Sequence, residues 1–338
     1  MGVSAGEQGR SGGGLMSVGR GGPTRAGFVA LAGRPNVGKS TLVNAVVGRK
    51  VAIVSDRAQT TRRAIRGVRT EGESQIVLVD LPGVQRPRDA LTARMSQRVR
   101  EELQGADAAL LVLNGEQGVG PGDRFIARTL RGSETHAAPS LSSPTPELPD
   151  SPRPPHALPV TIAVNKVDRL SRAETLAALQ GAADLALDGE VFPVSARTGA
   201  GVAQLVEHLQ QMLPEGPFLF EADARSDQSP QLLAAELIRE AAIRRTFHEL
   251  PHAVEVVVEE IERVREGMTR VRALIWVESD SQRAIVVGAR GRMIKAIGSA
   301  ARGELERELG GAVHLDLSAR VRRDWRRDEG MLDRLGIG

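Results

Sequence analysis

The stretch Gly33-Arg34-Pro35-Asn36-Val37-Gly38-Lys39-Ser40 fits the phosphate-binding pattern G-x-x-x-x-G-K-[ST]. The apolar run Phe28–Ala32 precedes it and predicts a buried strand, and Ser40–Val47 predicts a helix. In this context, backbone N–H groups of the loop and of the helix N-terminus form an anion site. We expect Lys39 to contact the β- and γ-phosphates and the Ser40 hydroxyl to bind Mg²⁺, and we include Thr41 in the nucleotide site.

The composition limits the classes of protein to which the chain can belong. Its 338 residues are enough for two or three domains, and 41% of them are hydrophobic, so a core can form. Cysteine is absent, which excludes disulfides and thiolate metal sites and fits a reducing compartment. We find no run of 18 apolar residues and no apolar segment typical of a signal peptide, so we expect no transmembrane segment.

Lysine is scarce in this arginine-rich chain. The 45 basic residues include only four lysines: Lys39, Lys50, Lys166 and Lys295. Two of these, Lys39 and Lys166, lie in nucleotide-binding motifs, where a planar guanidinium cannot replace a compact ammonium. We infer that the chemistry of the site requires both lysines.

A polar segment containing Gln59-Thr60-Thr61-Arg62 lies between the phosphate loop and the next predicted strand, Ile65–Val68. In GTPases a switch at this place contacts the γ-phosphate and Mg²⁺. We predict that Thr61 supplies the hydroxyl, with Thr60 as the alternative.

The predicted strand Gln75–Val79 ends in Asp80-Leu81-Pro82-Gly83, which has the pattern D-x-x-G. The carboxyl ends of strands bind ligands in α/β folds, so we expect Asp80 to hold Mg²⁺ through a water and the Gly83 N–H to contact the γ-phosphate. Val84 follows, where many signalling GTPases carry a glutamine that orients the attacking water. Valine cannot do this, so we predict no catalytic side-chain base and slow hydrolysis.

The motif Asn165-Lys166-Val167-Asp168 follows another apolar run, Val160–Val164. The Asp168 carboxylate can accept hydrogen bonds from guanine N1–H and the N2 amine together, a donor pair that adenine lacks. Asn165 would support the loop, and the Lys166 stem would pack along the base. Backbone N–H groups of Ser195-Ala196, after the last predicted strand, would meet guanine O6. These motifs predict GTP rather than ATP as the ligand.

The composition predicts the domain boundaries. We expect a disordered extension over residues 1–25, an α/β domain with a mostly parallel sheet and flanking helices over 26–214, a linker over 215–229 and an α+β domain over 230–338. Residues 132–159 are rich in proline, which predicts an exposed insertion inside the α/β domain.

The last domain contains Gly288-Ala289-Arg290-Gly291, a G-x-x-G element that clamps nucleic-acid backbone in KH domains. We predict an apolar strand, Gln282–Val287, before it and a helix, Arg292–Leu309, after it. Arg290, Arg292 and Lys295 would face the RNA phosphates. Residues 283–327 carry 11 basic and five acidic side chains, which favours a nucleic-acid surface.

The ordered motifs, followed by a KH-like module, resemble the bacterial Era family of GTPases over residues 25–335. The resemblance implies a P-loop GTPase domain and a type II KH domain, with Mg²⁺ and GTP or GDP as ligands. It also implies binding to the 3′ end of 16S rRNA, a role in assembly of the small (30S) ribosomal subunit, and a monomer. The implied location is the cytoplasm, with weak peripheral contact to the inner face of the cell membrane.

The resemblance makes Asn36 a candidate K⁺ ligand, and a hydrophobic residue such as Val84 is usual at its position in this class. Leu81 replaces the threonine that the family usually has, Ala289-Arg290 departs from a loop richer in glycine and lysine, and the 132–159 insertion is foreign to the pattern. Two alternatives remain open at this point. One is an RNA-binding assembly chaperone whose nucleotide domain does not hydrolyse GTP; the other is a GTPase of tRNA modification or protein targeting, against which the KH-like run argues.

Overall fold

The computed structural model describes residues 23–54, 61–83, 89–131, 158–246, 250 and 254–337. Gln59, Thr60 and Val84, residues 1–22 of the predicted extension and residues 132–157 of the predicted insertion lie outside this described part. The described residues form two sheets, one with six strands and one with three.

Among the described residues, the first domain contains the six-stranded sheet and five α-helices. In chain order its elements are β1 (Arg25–Ala32), α1 (Lys39–Val47), β2 (Ile65–Glu71), β3 (Ser74–Asp80), α2 (Ala90–Gly105), β4 (Ala108–Asn114), α3 (Pro121–Leu130), β5 (Val160–Asn165), α4 (Arg172–Ala183), β6 (Val191–Pro193) and α5 (Val202–Met212).

The six strands lie in the order β2-β3-β1-β4-β5-β6, and β2 is antiparallel to its neighbour while the others run parallel. Strand β4 is buried along its whole length, as expected where helices cover both faces of a parallel sheet. The core on one face includes Leu42 and Val46 of α1 and Leu205 of α5. Because the parallel strands end at the same edge, this fold gathers the loops that follow β1, β3, β5 and β6.

The second domain contains the three-stranded sheet. In chain order its elements are α6 (Pro230–Arg245), β7 (Glu255–Arg265), β8 (Met268–Val277), α7 (Asp280–Val287), α8 (Arg292–Leu309), β9 (Ala312–Val321) and α9 (Glu329–Arg334). Strand β8 is central, antiparallel to β7 and parallel to β9. Ile238 and Ala242 of α6 and Ile297 and Ala301 of α8 pack against Ile275 of the sheet.

The predicted strand Gln282–Val287 is wrong, because these residues belong to helix α7. The Ser279 side chain caps this helix by accepting from the backbone N–H of Gln282 at 3.3 Å, and the Gln282 side chain accepts from the N–H of Glu278 at 2.8 Å. A short apolar run is ambiguous by periodicity alone, and the S-x-x-Q cap at Ser279 was the available helix signal. The G-x-x-G element therefore joins two helices rather than a strand and a helix.

Helices α4 and α9 were not predicted from the sequence, because neither has a clear apolar stripe at helical spacing. A capping box starts α4, since Ser171 and Glu174 each bond the other's backbone N–H. Its Leu176 is 69% exposed, so the apolar pattern of this helix is broken. In the described part of the chain, no helix has both the length and the apolarity needed to cross a bilayer.

Candidate GTP site and nucleic-acid interface

The backbone of the phosphate loop between β1 and α1 requires glycine at two positions, Gly33 and Gly38. Gly38 adopts φ +98°, and a Cβ there would lie 2.3 Å from Asn165 Nδ2. A Cβ on Gly33 would lie 2.5 Å from the Val112 carbonyl oxygen. The loop is thus pressed against the sheet, and only residues without a side chain fit at these two positions.

The side chain of Lys39 lies across this loop. Its Nζ donates to the carbonyl oxygens of Gly33 at 3.1 Å and Arg34 at 3.2 Å. Burial lowers the pKa of Lys39, and the nearby Asp80 carboxylate opposes that shift. The ammonium is held inside the loop, where a bound phosphate chain would lie.

Two side chains tie the loop to its surroundings. Arg34 Nε donates to the buried Asp123 carboxylate at 2.9 Å, which links the loop to the start of α3. Asn165 Nδ2 donates to the Val37 carbonyl oxygen at 2.9 Å, and its Oδ1 accepts from the Ala196 N–H at 3.0 Å. Asn165 therefore joins the phosphate loop to the loop after β6, a contact that the sequence analysis assigned only as general support.

Ser40, Thr61 and Asp80 form one cluster of oxygen atoms. Ser40 Oγ donates to Asp80 Oδ2 at 2.6 Å, and Thr61 Oγ1 lies 3.1 Å from Ser40 Oγ and 3.2 Å from Asp80 Oδ2. All three sequence-predicted Mg²⁺ residues therefore meet, although they come from three separate segments.

The donor set of this cluster fits a hard divalent cation. Asp80 Oδ1 is buried and has no hydrogen-bond partner among the described residues. Burial raises the pKa of Asp80, an effect that Lys39 and the Ser40 and Thr61 hydroxyls only partly oppose. A cation bound directly or through water would satisfy this oxygen, and Mg²⁺ prefers oxygen ligands.

The D-x-x-G turn lies against the phosphate loop. A Cβ on Gly83 would lie 2.9 Å from Pro35 Cγ and 3.0 Å from the Pro35 nitrogen. Leu81, the departure from the family pattern, is fully buried in the core with Val79. The turn can therefore approach a γ-phosphate held by the loop.

The predicted guanine-recognising residues meet beside β5 and β6. Asp168 Oδ1 accepts from Ser195 Oγ at 2.6 Å, and this bond is the main reason why the pKa of Asp168 is lowered. Lys166 has φ +69°, and its Nζ lies 3.8 Å from Glu116 Oε2. Arg197, which directly follows Ser195-Ala196, donates to Asp168 Oδ2, a side-chain contact that was not predicted from the sequence.

The G-x-x-G element forms an exposed turn between α7 and α8. A Cβ on Gly288 would lie 2.6 Å from Met293 Cβ, whereas a Cβ on Gly291 would have no neighbour within 4 Å in the described part of the chain. Arg290 adopts φ +54°, and it is exposed with Arg292 and Lys295. The three basic residues predicted to contact RNA are therefore all accessible, with Arg290 on the turn and Arg292 and Lys295 on the first turn of α8.

Arg62, predicted as part of the switch, is buried against the second domain. Its Nη1 donates to the Val254 carbonyl oxygen at 2.9 Å and forms an ion pair with Glu255. The neighbouring Arg63 pairs with Glu236 at 3.0 Å and with Glu255 at 3.3 Å. No local sequence pattern indicates these partners, because they lie more than 170 positions away in the chain.

Fold and sites define a P-loop GTPase joined to a KH domain. The family model of 50S ribosome-binding GTPases matches residues 28–141, and the KH domain model matches residues 249–326. We call the first domain the GTPase domain and the second the KH domain from here on.

Whole-chain comparisons identify the family. The chain is 40% identical over 315 residues to GTPase Era of Mycobacterium tuberculosis (strain ATCC 25618 / H37Rv), covering 92% of this chain and 98% of that protein. It is 39% identical to GTPase Era of Mycobacterium avium (strain 104), covering 93% and 99%. The chain belongs to the Era family of GTPases, and it hydrolyses GTP.

Two solved structures resemble the whole chain. A variant of Aquifex aeolicus Era bound to GDP and AlF4⁻ superposes with a TM-score of 0.82 and 32% identity over 93% of this chain and 100% of that one. An Era in complex with MgGDPNP and nucleotides 1506–1542 of 16S ribosomal RNA superposes with a TM-score of 0.82 and 32% identity, covering 93% and 99%.

Proposed function

We propose that this GTPase is a switch in which bound GTP controls how the KH domain engages ribosomal RNA. The observation that carries the proposal is the adjacency of Thr61 and Arg62. Thr61 Oγ1 lies 3.1 Å from Ser40 Oγ in the oxygen cluster, and the next side chain is buried against the KH domain. A change at the γ-phosphate would therefore reach the KH domain through one peptide bond.

The nucleotide site would use the residues predicted from the motifs. Ser40, Thr61 and, through water, Asp80 would hold Mg²⁺, which would neutralise phosphate charge when bound. Asp168 would select guanine, and the relative bound to MgGDPNP supports this ligand class. Asn36, at φ +64° in the loop, is our candidate K⁺ ligand.

The RNA ligand would be the 3′ end of 16S rRNA. The relative solved with nucleotides 1506–1542 of that RNA supports this proposal, as do the exposed side chains of Arg290 on the turn and of Arg292 and Lys295 at the start of α8. Binding there would place the protein in assembly of the 30S subunit. Basic side chains supply phosphate affinity, and the two glycines let the RNA backbone come close.

Coupling between the domains would run through a buried ion network. Arg62 and Arg63 of the GTPase domain meet Glu236 and Glu255 of the KH domain, and Arg239 pairs with Glu236 at 2.5 Å. A buried charge is costly unless it keeps its partners at hydrogen-bond distance, so this network has few alternative arrangements. A shift of the segment at Thr61 would therefore move or release the KH domain rather than be absorbed locally.

We propose that the chain hydrolyses GTP slowly, because Val84 cannot orient the attacking water and we assign no catalytic side-chain base. Single-turnover GTP hydrolysis by the full chain, with and without K⁺ and a 16S rRNA 3′-end fragment, measures it. Rapid turnover without either addition would contradict the proposal.

The domain boundaries that we propose are 26–214 for the GTPase domain, 215–229 for the linker and 230–338 for the KH domain. We propose a cytoplasmic monomer. Weak peripheral contact with the cell membrane stays a prediction from the resemblance alone.

The switch proposal is tested by RNA affinity in two nucleotide states. The full chain is titrated with a 16S rRNA 3′-end fragment in the presence of GDPNP or GDP, and we expect the two affinities to differ. Thr61→Ala should abolish the difference while leaving RNA binding with GDP unchanged. Thr175→Ala is the control, because the Thr175 hydroxyl donates to the Ser171 carbonyl oxygen at 2.9 Å at the start of α4. Equal affinities in both nucleotides for the unmodified chain would contradict the switch.

A further inference from the structure

We propose that Arg197 competes with the guanine base for the Asp168 carboxylate and thereby lowers the affinity for GDP and GTP alike. Arg197 Nε lies 3.0 Å and Nη2 lies 2.7 Å from Asp168 Oδ2. This inference rests on the proposed role of Asp168 in recognising guanine, and it adds a residue that sets the strength of that recognition.

The guanine base and the Arg197 guanidinium present similar hydrogen-bond donors to Asp168. The recognition edge of guanine consists of N1–H, C2 and the N2 amine, an N–C–N unit with two parallel donors. The guanidinium of Arg197 presents the same unit through Nε, Cζ and Nη2. Arg197 therefore offers Asp168 the same kind of donor pair as the base, and its contact with Oδ2 uses acceptor positions that guanine would need.

Acceptor sites on Asp168 are limited. Oδ1 already accepts from Ser195 Oγ at 2.6 Å, and both Arg197 donors converge on Oδ2. A carboxylate offers about four acceptor positions. Ser195 and the two Arg197 donors use three of these, whereas guanine needs two. Guanine can form its pair of hydrogen bonds only when the Arg197 fork moves off Oδ2.

The difference in burial indicates that Arg197, and not Ser195, would leave Asp168 when the base binds. The Arg197 side chain is 69% exposed, whereas that of Asp168 is 10% exposed and Ser195 is fully buried. Arg197 can swing into solvent without disturbing packing, while the Ser195 bond persists. Exposed ion pairs contribute up to about 1 kcal/mol, so we expect the competition to lower affinity by roughly twofold to fivefold.

The test uses the full chain and fluorescent mant-GDP and mant-GTP titrations. We expect Arg197→Ala to tighten binding of both nucleotides by about twofold to fivefold, with a gain that shrinks as salt is raised, because exposed charges are screened. Unchanged or weaker binding would overturn the proposal. The matched control is Arg169→Ala, which removes an exposed arginine from the loop after β5; among the described residues its guanidinium pairs with Glu116 at 3.2 Å and forms no ion pair with Asp168. A similar gain in the control would also overturn it, by assigning the effect to general charge.

A second measurement separates this inference from the function on which it rests. Asp168→Asn is expected to shift preference from GTP toward XTP in a competition assay. If the preference shifts and Arg197→Ala gives no gain with an intact Asp168, the inference alone fails. If the preference does not shift, the proposed recognition of guanine is wrong and the inference falls with it. In the Asp168→Asn background, Arg197→Ala should leave XDP affinity unchanged, and a gain of the same size there would contradict competition for the carboxylate.

Discussion

Arg62 and Glu255 form an ion pair in which both side chains are fully buried, although they belong to different domains. The Arg62 guanidinium also lies 5.3 Å from the centroid of the Trp325 ring. Arg63 approaches the other oxygen of Glu255 at 3.3 Å. One carboxylate of the KH domain therefore holds two consecutive arginines of the GTPase domain, directly after the threonine of the oxygen cluster.

Removing Arg62 should be strongly destabilising. Arg62→Ala removes one of the arginines that pair with the buried Glu255 carboxylate. Breaking a buried ion pair typically lowers the free energy of unfolding by about 3–5 kcal/mol. Urea denaturation of the full chain measures the free energy of unfolding. Arg272→Ala is the control, because its ion pair with Glu260 is about half exposed on both sides, and it should cost less than about 1 kcal/mol. Equal losses in the two variants would contradict a special role for the buried pair.

Stability should also depend on pH through Glu255. Burial alone would raise the pKa of Glu255, but Arg63, Arg62 and Arg239 outweigh it and bring the pKa to about 2. A carboxyl whose pKa is lower when folded stabilises the protein above its unfolded value near 4.3, and this contribution disappears as pH falls toward 2. Glu255→Gln should therefore be less stable than the unmodified chain at pH 7, by on the order of 3 kcal/mol, with the gap closing below pH 4.5. A gap that stays constant with pH would contradict ionisation of Glu255 in the folded protein.

Lys39→Ala should abolish GTP binding at micromolar protein concentrations. The ammonium is buried in the phosphate loop, and the hydrogen bonds that it would donate to phosphate are worth roughly 1.5–3 kcal/mol each, so we expect a loss of at least about 100-fold in calorimetry. Lys39→Arg should not restore binding, because a guanidinium does not fit the space of an ammonium held 3.1 Å from the Gly33 carbonyl oxygen. Arg172→Ala, an exposed change on α4, is the control for loss of a positive charge.

The two glycines of the KH turn should respond differently to alanine. Gly288→Ala places a methyl group 2.6 Å from Met293 Cβ and should lower the melting temperature of the protein. Among the described residues, a Cβ on Gly291 has no neighbour within 4 Å, so Gly291→Ala costs only the positive φ of +74°, about 1–2 kcal/mol. The fold should therefore survive Gly291→Ala while affinity for a 16S rRNA fragment falls, because the RNA backbone would approach at that side. Unchanged RNA affinity in a folded Gly291→Ala protein would contradict contact at this glycine.

Much of the nucleotide site could be predicted because its chemistry is local. A phosphate loop needs glycines, one lysine and one hydroxyl within eight positions, and Asp80 and Asn165–Asp168 follow strands whose ends must meet at one edge. Thr61, with Thr60 as the alternative, was predicted from its place between the phosphate loop and the next strand, and Thr61 Oγ1 lies 3.1 Å from Ser40 Oγ. The structure then brought these residues together.

What could not be predicted are contacts between distant residues. No local pattern pairs Arg62 with Glu255 or identifies Trp325 as its neighbour, because burial of a charge depends on how two domains meet. Helix α7 was missed for a different reason, since the apolar run Ala284–Val287 suits a strand or a helix and only the cap at Ser279 distinguishes them. Arg197 is adjacent to a recognised motif, but its competition with the base becomes visible only from its distance to Asp168.

The position of Trp325 gives the protein a built-in optical probe. The chain has two tryptophans and no tyrosine, so its intrinsic fluorescence comes from Trp325 and Trp276. Trp325 is fully buried between the domains, packed with Leu91 and Met95 of α2, and it lies beside the Arg62 charge. In a Trp276→Phe protein the remaining emission would shift to longer wavelength whenever the domains part and water reaches the indole. The movement of the KH domain can then be followed in solution, in real time and without any attached dye.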